Sequence, residues 1–222
     1  MAIEFGNVGL DTSNPEPRCP CVLLLDTSGS MDGQKMAELN AGLRAFKDGL
    51  TDEVAQLRVE VAIITFGPVL VKQDFISASQ FQPPTLEVDG ATPMGTAINL
   101  ALDKLDERKQ LYKQKGISHY RPWVFLITDG QPTDGDIWQS AAQRIRDAET
   151  RKKVAFFAIG VEGADMEILR QLSVRDPVQL RGLEFTKMFV WLSSSLASVS
   201  QSRPGEDVPL QSPMGLKGWA TP

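Results

Sequence analysis

A chain of 222 residues, 42% hydrophobic and 23% charged, has the length and composition of one substantial globular domain. Its formal net charge of -5 argues against a surface built to hold phosphate backbones, so nucleic acid is not an expected partner. No apolar run approaches the roughly 18 residues of a membrane span, and the N-terminal "MAIEFGNVGLDTSNPEPR" has neither the basic nor the apolar region of an export signal, so a cytoplasmic protein is expected.

The first 17 residues, rich in Asn, Pro and Gly, read as an irregular lead-in. Cys19 and Cys21 follow, the only cysteines of the chain. Two apart on an extended segment, they are expected to point to opposite faces, one thiol in the core and one near the surface, without a disulfide. A structural zinc site is not expected either, because it wants four ligands and the lone His119 does not make up the number. Val22 to Leu25 is a continuous apolar run, the pattern of a strand covered on both faces. Met36, Leu39, Leu43, Phe46 and Leu50 then step by three and four, which lays a stripe along a helix. Val59 to Phe66 is a second buried strand. Gly67 and Pro68 supply a tight turn into "VLVKQDFIS", whose alternation predicts an antiparallel edge strand over Val69 to Ile76.

Thr96 to Lys115 has helical period, with Ile98, Ala101, Leu102 and Leu105 on one side. Val124 to Ile127 and Val154 to Val161 are further buried strands, separated by a helix bearing Ile137, Ala141, Ile145 and Ala148. A last helix carries Phe189, Leu192, Leu196 and Val199. Beyond Ser202 the tail is punctuated by Pro and Gly and reads as irregular. Trp219 is the exception there: an exposed indole is wasteful, so it is expected to dock on the domain or on a partner. Alternating buried strands and amphipathic helices predict an α/β sandwich, with helices on both faces of a mostly parallel sheet and one antiparallel edge strand. The domain is placed at residues 18–201, between the segments 1–17 and 202–222.

The chemistry concentrates at two strand ends. "CVLLLDTSGSMDG" breaks an apolar run with Asp26 and then sets hydroxyls at Ser28 and Ser30, with Gly29 allowing a tight backbone path. "PWVFLITDG" ends likewise in Asp129, and "DGATPMG" offers Thr92 just before a helix. Ligands of an open parallel sheet sit outside the carboxyl ends of its strands, where strand order reverses. Two carboxylates meeting there repel unless a cation lies between them. An all-oxygen donor set selects a hard ion, Mg2+ or Mn2+, over zinc. Taken singly, Ser30 and Thr92 also suit helix N-caps, and Asp129-Gly130 suits a turn. A second class of reading, a Mg2+-dependent phosphatase or phosphotransferase with Asp26 as nucleophile, lacks an acid or base within reach of Asp26. A phosphate loop is also missing. A third reading is a structural module whose metal only stabilises the fold.

"LLLDTSGSM", "GATPMG" and "VFLITDG" resemble the three parts of the metal-ion-dependent adhesion site of von Willebrand factor A (vWA) domains. The resemblance places the family's D-x-S-x-S on Asp26, Ser28 and Ser30, its threonine on Thr92 and its last aspartate on Asp129. It implies a Rossmann-like vWA sandwich that binds Mg2+ or Mn2+ and leaves one position for an Asp or Glu of a protein ligand, an adaptor rather than an enzyme. Longer strings, "FQPPTLEVDGATPMGTAI", "YRPWVFLITDGQPTD", "FFAIGVEGADMEIL" and "FVWLSSSLASVSQS", are similar to the bacterial TerY-type branch found with tellurite-resistance and stress-response operons. That similarity implies kinase- or phosphatase-like partners, while the "CPC" before the first strand departs from the branch. Specificity is expected from the rims at Ser30 to Gly33, Glu87 to Gly95 and Gly130 to Trp138. Trp138 is read as core or interface. Asp32, Asp134 and Asp136 are read as helix caps or sources of negative potential, not ligands.

Overall fold

The computed structural model describes residues 10–214 and 218–221. In chain order its elements are β1 (Cys19–Asp26), α1 (Gln34–Gly49), α2 (Glu53–Arg58), β2 (Val59–Phe66), β3 (Leu70–Ser77), α3 (Met94–Lys115), β4 (Trp123–Thr128), α4 (Ile137–Thr150), β5 (Ala155–Gly160), α5 (Met166–Leu172), β6 (Val178–Leu180), α6 (Phe185–Ser200) and β7 (Ala220–Thr221). The strands form one sheet in the order β3-β2-β1-β4-β5-β6-β7. From β2 through β6 the pairing is parallel, and β3 runs antiparallel to β2 as the expected edge strand. A second antiparallel pair, which the sequence pattern did not announce, joins β6 to the two-residue β7 at the other edge. Of the N-terminal segment 1–17, residues 1–9 lie outside the described residues, as do 215–217 and 222 of the tail, so the expectation of irregular structure there concerns residues not described.

The continuous apolar runs have the cause anticipated for them: both faces of the central strands are covered. Leu23 and Leu25 of β1 pack with α1 and α6, while Val22 and Leu24 pack with α3, α4 and α5. The same alternation divides β2 and β4. Cys19 and Cys21 correct an expectation here. Both are fully buried on the face of Leu23 and Leu25, because a period of two returns every second side chain to the same side. Both thiols are free. Trp219 is buried with its ring edge-on to Trp191, 5.5 Å between centroids.

Strand order reverses between β1 and β4, which are neighbours although β2 and β3 intervene in sequence. The crevice at the carboxyl ends of these two strands is therefore the switch point of the fold. The opposite end of the sheet is closed by buried ion pairs. Glu60 accepts from the Arg108 Nε at 2.7 Å and from the Tyr112 hydroxyl, and stands 3.4 Å from the Arg18 Nε. Among the described residues, no helix is long and apolar enough to cross a membrane.

Candidate metal centre

Asp26 ends β1 and is fully buried. Its Oδ1 accepts the Ser28 amide at 2.8 Å and its Oδ2 accepts the Thr128 hydroxyl at 2.5 Å. Thr128 is there by register: β1 and β4 pair Leu25 with Ile127, so the next step along both strands sets Asp26 beside Thr128. The chain then makes a single 3-10 turn, Gly29–Met31. That turn brings the Ser28 and Ser30 hydroxyls to 3.1 Å, and Ser30 donates to Asp129 Oδ1 at 2.6 Å.

Thr92 arrives on a loop sewn to this turn by backbone hydrogen bonds. The Asp89 amide donates to the Thr27 carbonyl at 2.8 Å and the Gly29 amide to the Gly90 carbonyl at 3.2 Å. On its other side, Thr92 exchanges hydrogen bonds with Thr133, from its own amide to the Thr133 hydroxyl at 3.0 Å and from the Thr133 amide to its carbonyl at 2.9 Å. A methyl placed on Gly130 would lie 3.2 Å from Thr92 Oγ1 and 3.6 Å from Asp26 Oδ2, so both oxygens border one small space. Gly67 shows how tight the frame is. With φ at +132°, any β-carbon there would sit 2.6 Å from the Asp89 carbonyl and 2.7 Å from the Ser28 amide. All five residues singled out in the sequence, Asp26, Ser28, Ser30, Thr92 and Asp129, thus lie around one crevice.

The capping alternative fits poorly. Pro93 stands at the cap of α3 without a side-chain hydrogen bond, Ser28 makes no capping bond to the turn it precedes, and the Ser30 hydroxyl goes to Asp129. Asp134 does cap: its Oδ2 accepts from the Thr96 amide at 2.7 Å and the Thr96 hydroxyl at 3.0 Å. Asp32 accepts the Gly33 amide at 2.7 Å. Trp138 is half-buried against the α3 side of the sheet, and the exposed apolar residue of this rim is its neighbour Ile137.

Two residues in contact with the candidate ligands escaped the sequence reading. One is Thr128, legible only once β1 and β4 are known to be neighbours. The other is Lys35, whose ammonium lies 2.5 Å from Asp129 Oδ2 and 3.4 Å from the Ser30 carbonyl. A base in the first turn of α1 runs against the helix dipole, and that oddity was the signal available.

Burial pushes the Asp26 carboxyl above its ordinary value, hydrogen bonds from Ser28 and Thr128 pull it back, and the charge of Asp129 adds a further push. A cation beside it would relieve the first and last of these. The donors suit a hard one. Neighbouring ligand oxygens of an octahedral ion with bonds of about 2.1 Å lie about 3.0 Å apart, close to the Ser28–Ser30 separation of 3.1 Å. Among the described residues no three of His, Cys, Asp and Glu cluster, so two carboxylates and neutral hydroxyls make up the set. His119 belongs elsewhere. It bridges to Arg18 ahead of β1, and the eight residues of β1 put about 25 Å between it and Asp26. A cavity of about 1490 Å³ beside Tyr120, Arg121 and Trp123 is also at that far end and shares no residue with the crevice.

Among solved structures, the chain is similar to proximal thread matrix protein 1 from the mussel byssus, at 17% identity over 83% of this chain, with a TM-score of 0.55. It is similar too to the pilus adhesin SpaC from Lactobacillus rhamnosus GG, at 11% identity over 84% of this chain, with a TM-score of 0.65. These likenesses are of fold, and the chain spans about half of the mussel protein, 49%, and 31% of the adhesin. No curated protein matches it by sequence. A profile of the von Willebrand factor type A domain matches residues 21–181, and the chain therefore belongs to this family of generally metal-dependent adhesion and protein-binding domains.

Proposed function

We propose that this domain captures an acidic side chain of a protein partner through one Mg2+ or Mn2+ ion held by Asp26, Ser28, Ser30, Thr92 and Asp129. The observation that carries the reading is the chain of oxygens from Ser28 to Ser30 to Asp129, spaced at 3.1 and 2.6 Å, at the switch point of the sheet. Three of the five donors are neutral hydroxyls, so the set balances the charge of a divalent ion without exceeding it. A further carboxylate is then still tolerated, and Mg2+ keeps exchangeable water positions at which one enters. Asp26 orients the turn through the Ser28 amide, and Thr128 holds Asp26.

In this reading the domain acts as an adaptor rather than an enzyme, which its membership of a family of generally protein-binding domains supports. Its strings of TerY-type sequence support a place in a bacterial tellurite-resistance or stress-response system, in the cytoplasm, beside kinase- or phosphatase-like proteins. Calorimetric titration of Mg2+ and Mn2+ into wild type, Asp26→Ala and Ser30→Ala tests the site. Binding by wild type, with at least a tenfold loss in each variant, is the expected result. Equal affinities in all three would sink it. Capture of host proteins in metal and in chelator then separates an adaptor, whose partner is lost with the metal, from a module in which the ion only stabilises the fold.

A further inference from the structure

We infer that Lys35 is a tethered cation that competes with the metal for Asp129 and so sets the affinity of the site; this rests on the metal reading above. Asp129 has both oxygens committed, Oδ1 to the Ser30 hydroxyl and Oδ2 to the Lys35 ammonium at 2.5 Å. The ammonium is also within 3.4 Å of the Ser30 carbonyl, so it lies directly against two of the five metal-site residues. Its position is a costly one for the helix that carries it. Lys35 is the second residue of α1, whose cap is Gly33 with no side-chain hydrogen bond and whose first turn holds no acidic residue. A cation there opposes the partial positive charge of the helix N-terminus. What compensates it is Asp129, whose side chain is 1% exposed and would otherwise face Asp26 without a counter-charge.

The Lys35 side chain is 24% exposed, on a flexible four-carbon stem. It is able to leave. A divalent ion held by this site would supply the counter-charge that the ammonium supplies now and would disfavour a second cation beside it, so metal binding and the Lys35–Asp129 pair would exclude each other. Without metal the pair keeps two carboxylates from confronting each other.

The test is Lys35→Met, which keeps the apolar stem and removes the charge, beside Lys35→Arg, which keeps the charge. Mn2+ and Mg2+ affinities are measured by calorimetry, and thermal melting is followed in chelator and in saturating metal. Lys35→Met is expected to bind metal roughly tenfold tighter than wild type, as for loss of one partly exposed ion pair together with one cation repulsion. It is expected to melt lower than wild type in chelator and to gain more from metal, while Lys35→Arg stays within about twofold of wild type in affinity. Unchanged or weaker metal binding by Lys35→Met, with wild type binding normally, overturns the competition and leaves the metal site standing. If neither protein binds metal, the metal reading itself falls and takes this inference with it.

Discussion

Asp26 shows how much of a binding site is decided by what holds a ligand rather than by the ligand itself. Each of its oxygens accepts one hydrogen bond, from the Ser28 amide and the Thr128 hydroxyl, so besides its proposed part in holding the ion it shapes the turn that presents Ser28 and Ser30. The cysteines are the other residue-scale case, and they are inert by position. Burial, with a smaller push from the Glu60 carboxylate, holds the Cys19 thiol up at about 12, and burial raises Cys21 well above the usual thiol range. An unfolded thiol ionises near pH 8.5. Between there and about pH 12, the folded chain keeps protons that the unfolded chain has released. The thiols therefore favour the fold fully below about pH 8.5, and that advantage is lost as pH rises through the window. A thiol reagent at pH 8 is expected to label neither cysteine in the native protein and both in denaturant; rapid native labelling of either would refute the placement. The members of the candidate site that the sequence singled out by identity, in D-x-S-x-S and T-D-G, do come together in one crevice. Lys35 and Thr128 were not legible at this scale, because a lysine in a helix and a threonine in a strand acquire their roles only from the neighbour across the crevice.

Among the elements, the long ones announced themselves and the short ones did not. Apolar runs marked β1, β2, β4 and β5 to within a few residues, and stripes of three and four marked α1, α3, α4 and α6. Helices of six and seven residues, α2 and α5, and strands of three and two, β6 and β7, are too brief for their period to show. Nor does a sequence pattern say how closely two helices approach. Gly42 of α1 faces α6, where a β-carbon would stand 2.5 Å from the Phe189 ring and 3.0 Å from the Phe185 β-carbon. Alanine gains about 1 kcal/mol of helix propensity over glycine, but overpacking a dense contact costs about 1 to 3 kcal/mol. The clash wins here, because the Phe185 β-carbon is fixed to its backbone and cannot rotate aside. Gly42→Ala is expected to destabilise the domain by about 1 to 2 kcal/mol, read from the urea midpoint at constant slope. A stabilised variant would mean that α1 and α6 are free to separate.

For the whole molecule, the two ends of the sheet divide the work. The carboxyl end gathers hydroxyls and two carboxylates around a crevice, and the amino end is locked by Glu60 with Arg18, Arg108 and Tyr112. The tail then fastens the last helix across the sheet. The Trp191 Nε1 donates to the Gln211 carbonyl at 2.8 Å, the Arg181 amide donates to the Trp219 carbonyl at 2.8 Å, and β7 covers the open edge of β6. Trp219 anchors this strap, 4% exposed against Trp191, while its own Nε1 has no hydrogen-bond partner among the described residues. Its contribution is therefore apolar burial, not hydrogen bonding. Trp219→Ala is expected to cost about 3 to 5 kcal/mol. In a chain of this size that is a fall of roughly 10 °C in melting temperature, whereas Trp219→Phe retains most of the stability because only the unpaired N–H and one ring are lost. Metal affinity is expected to stay within about twofold in both, since among the described residues none of the strap's hydrogen bonds or ring contacts reaches Asp26, Ser28, Ser30, Thr92 or Asp129. Thermal melting and metal titration of the two variants check this together: a fall of less than about 2 °C in Trp219→Ala would show that the strap carries no load, and a large loss of metal affinity would show that tail and crevice are coupled through α6.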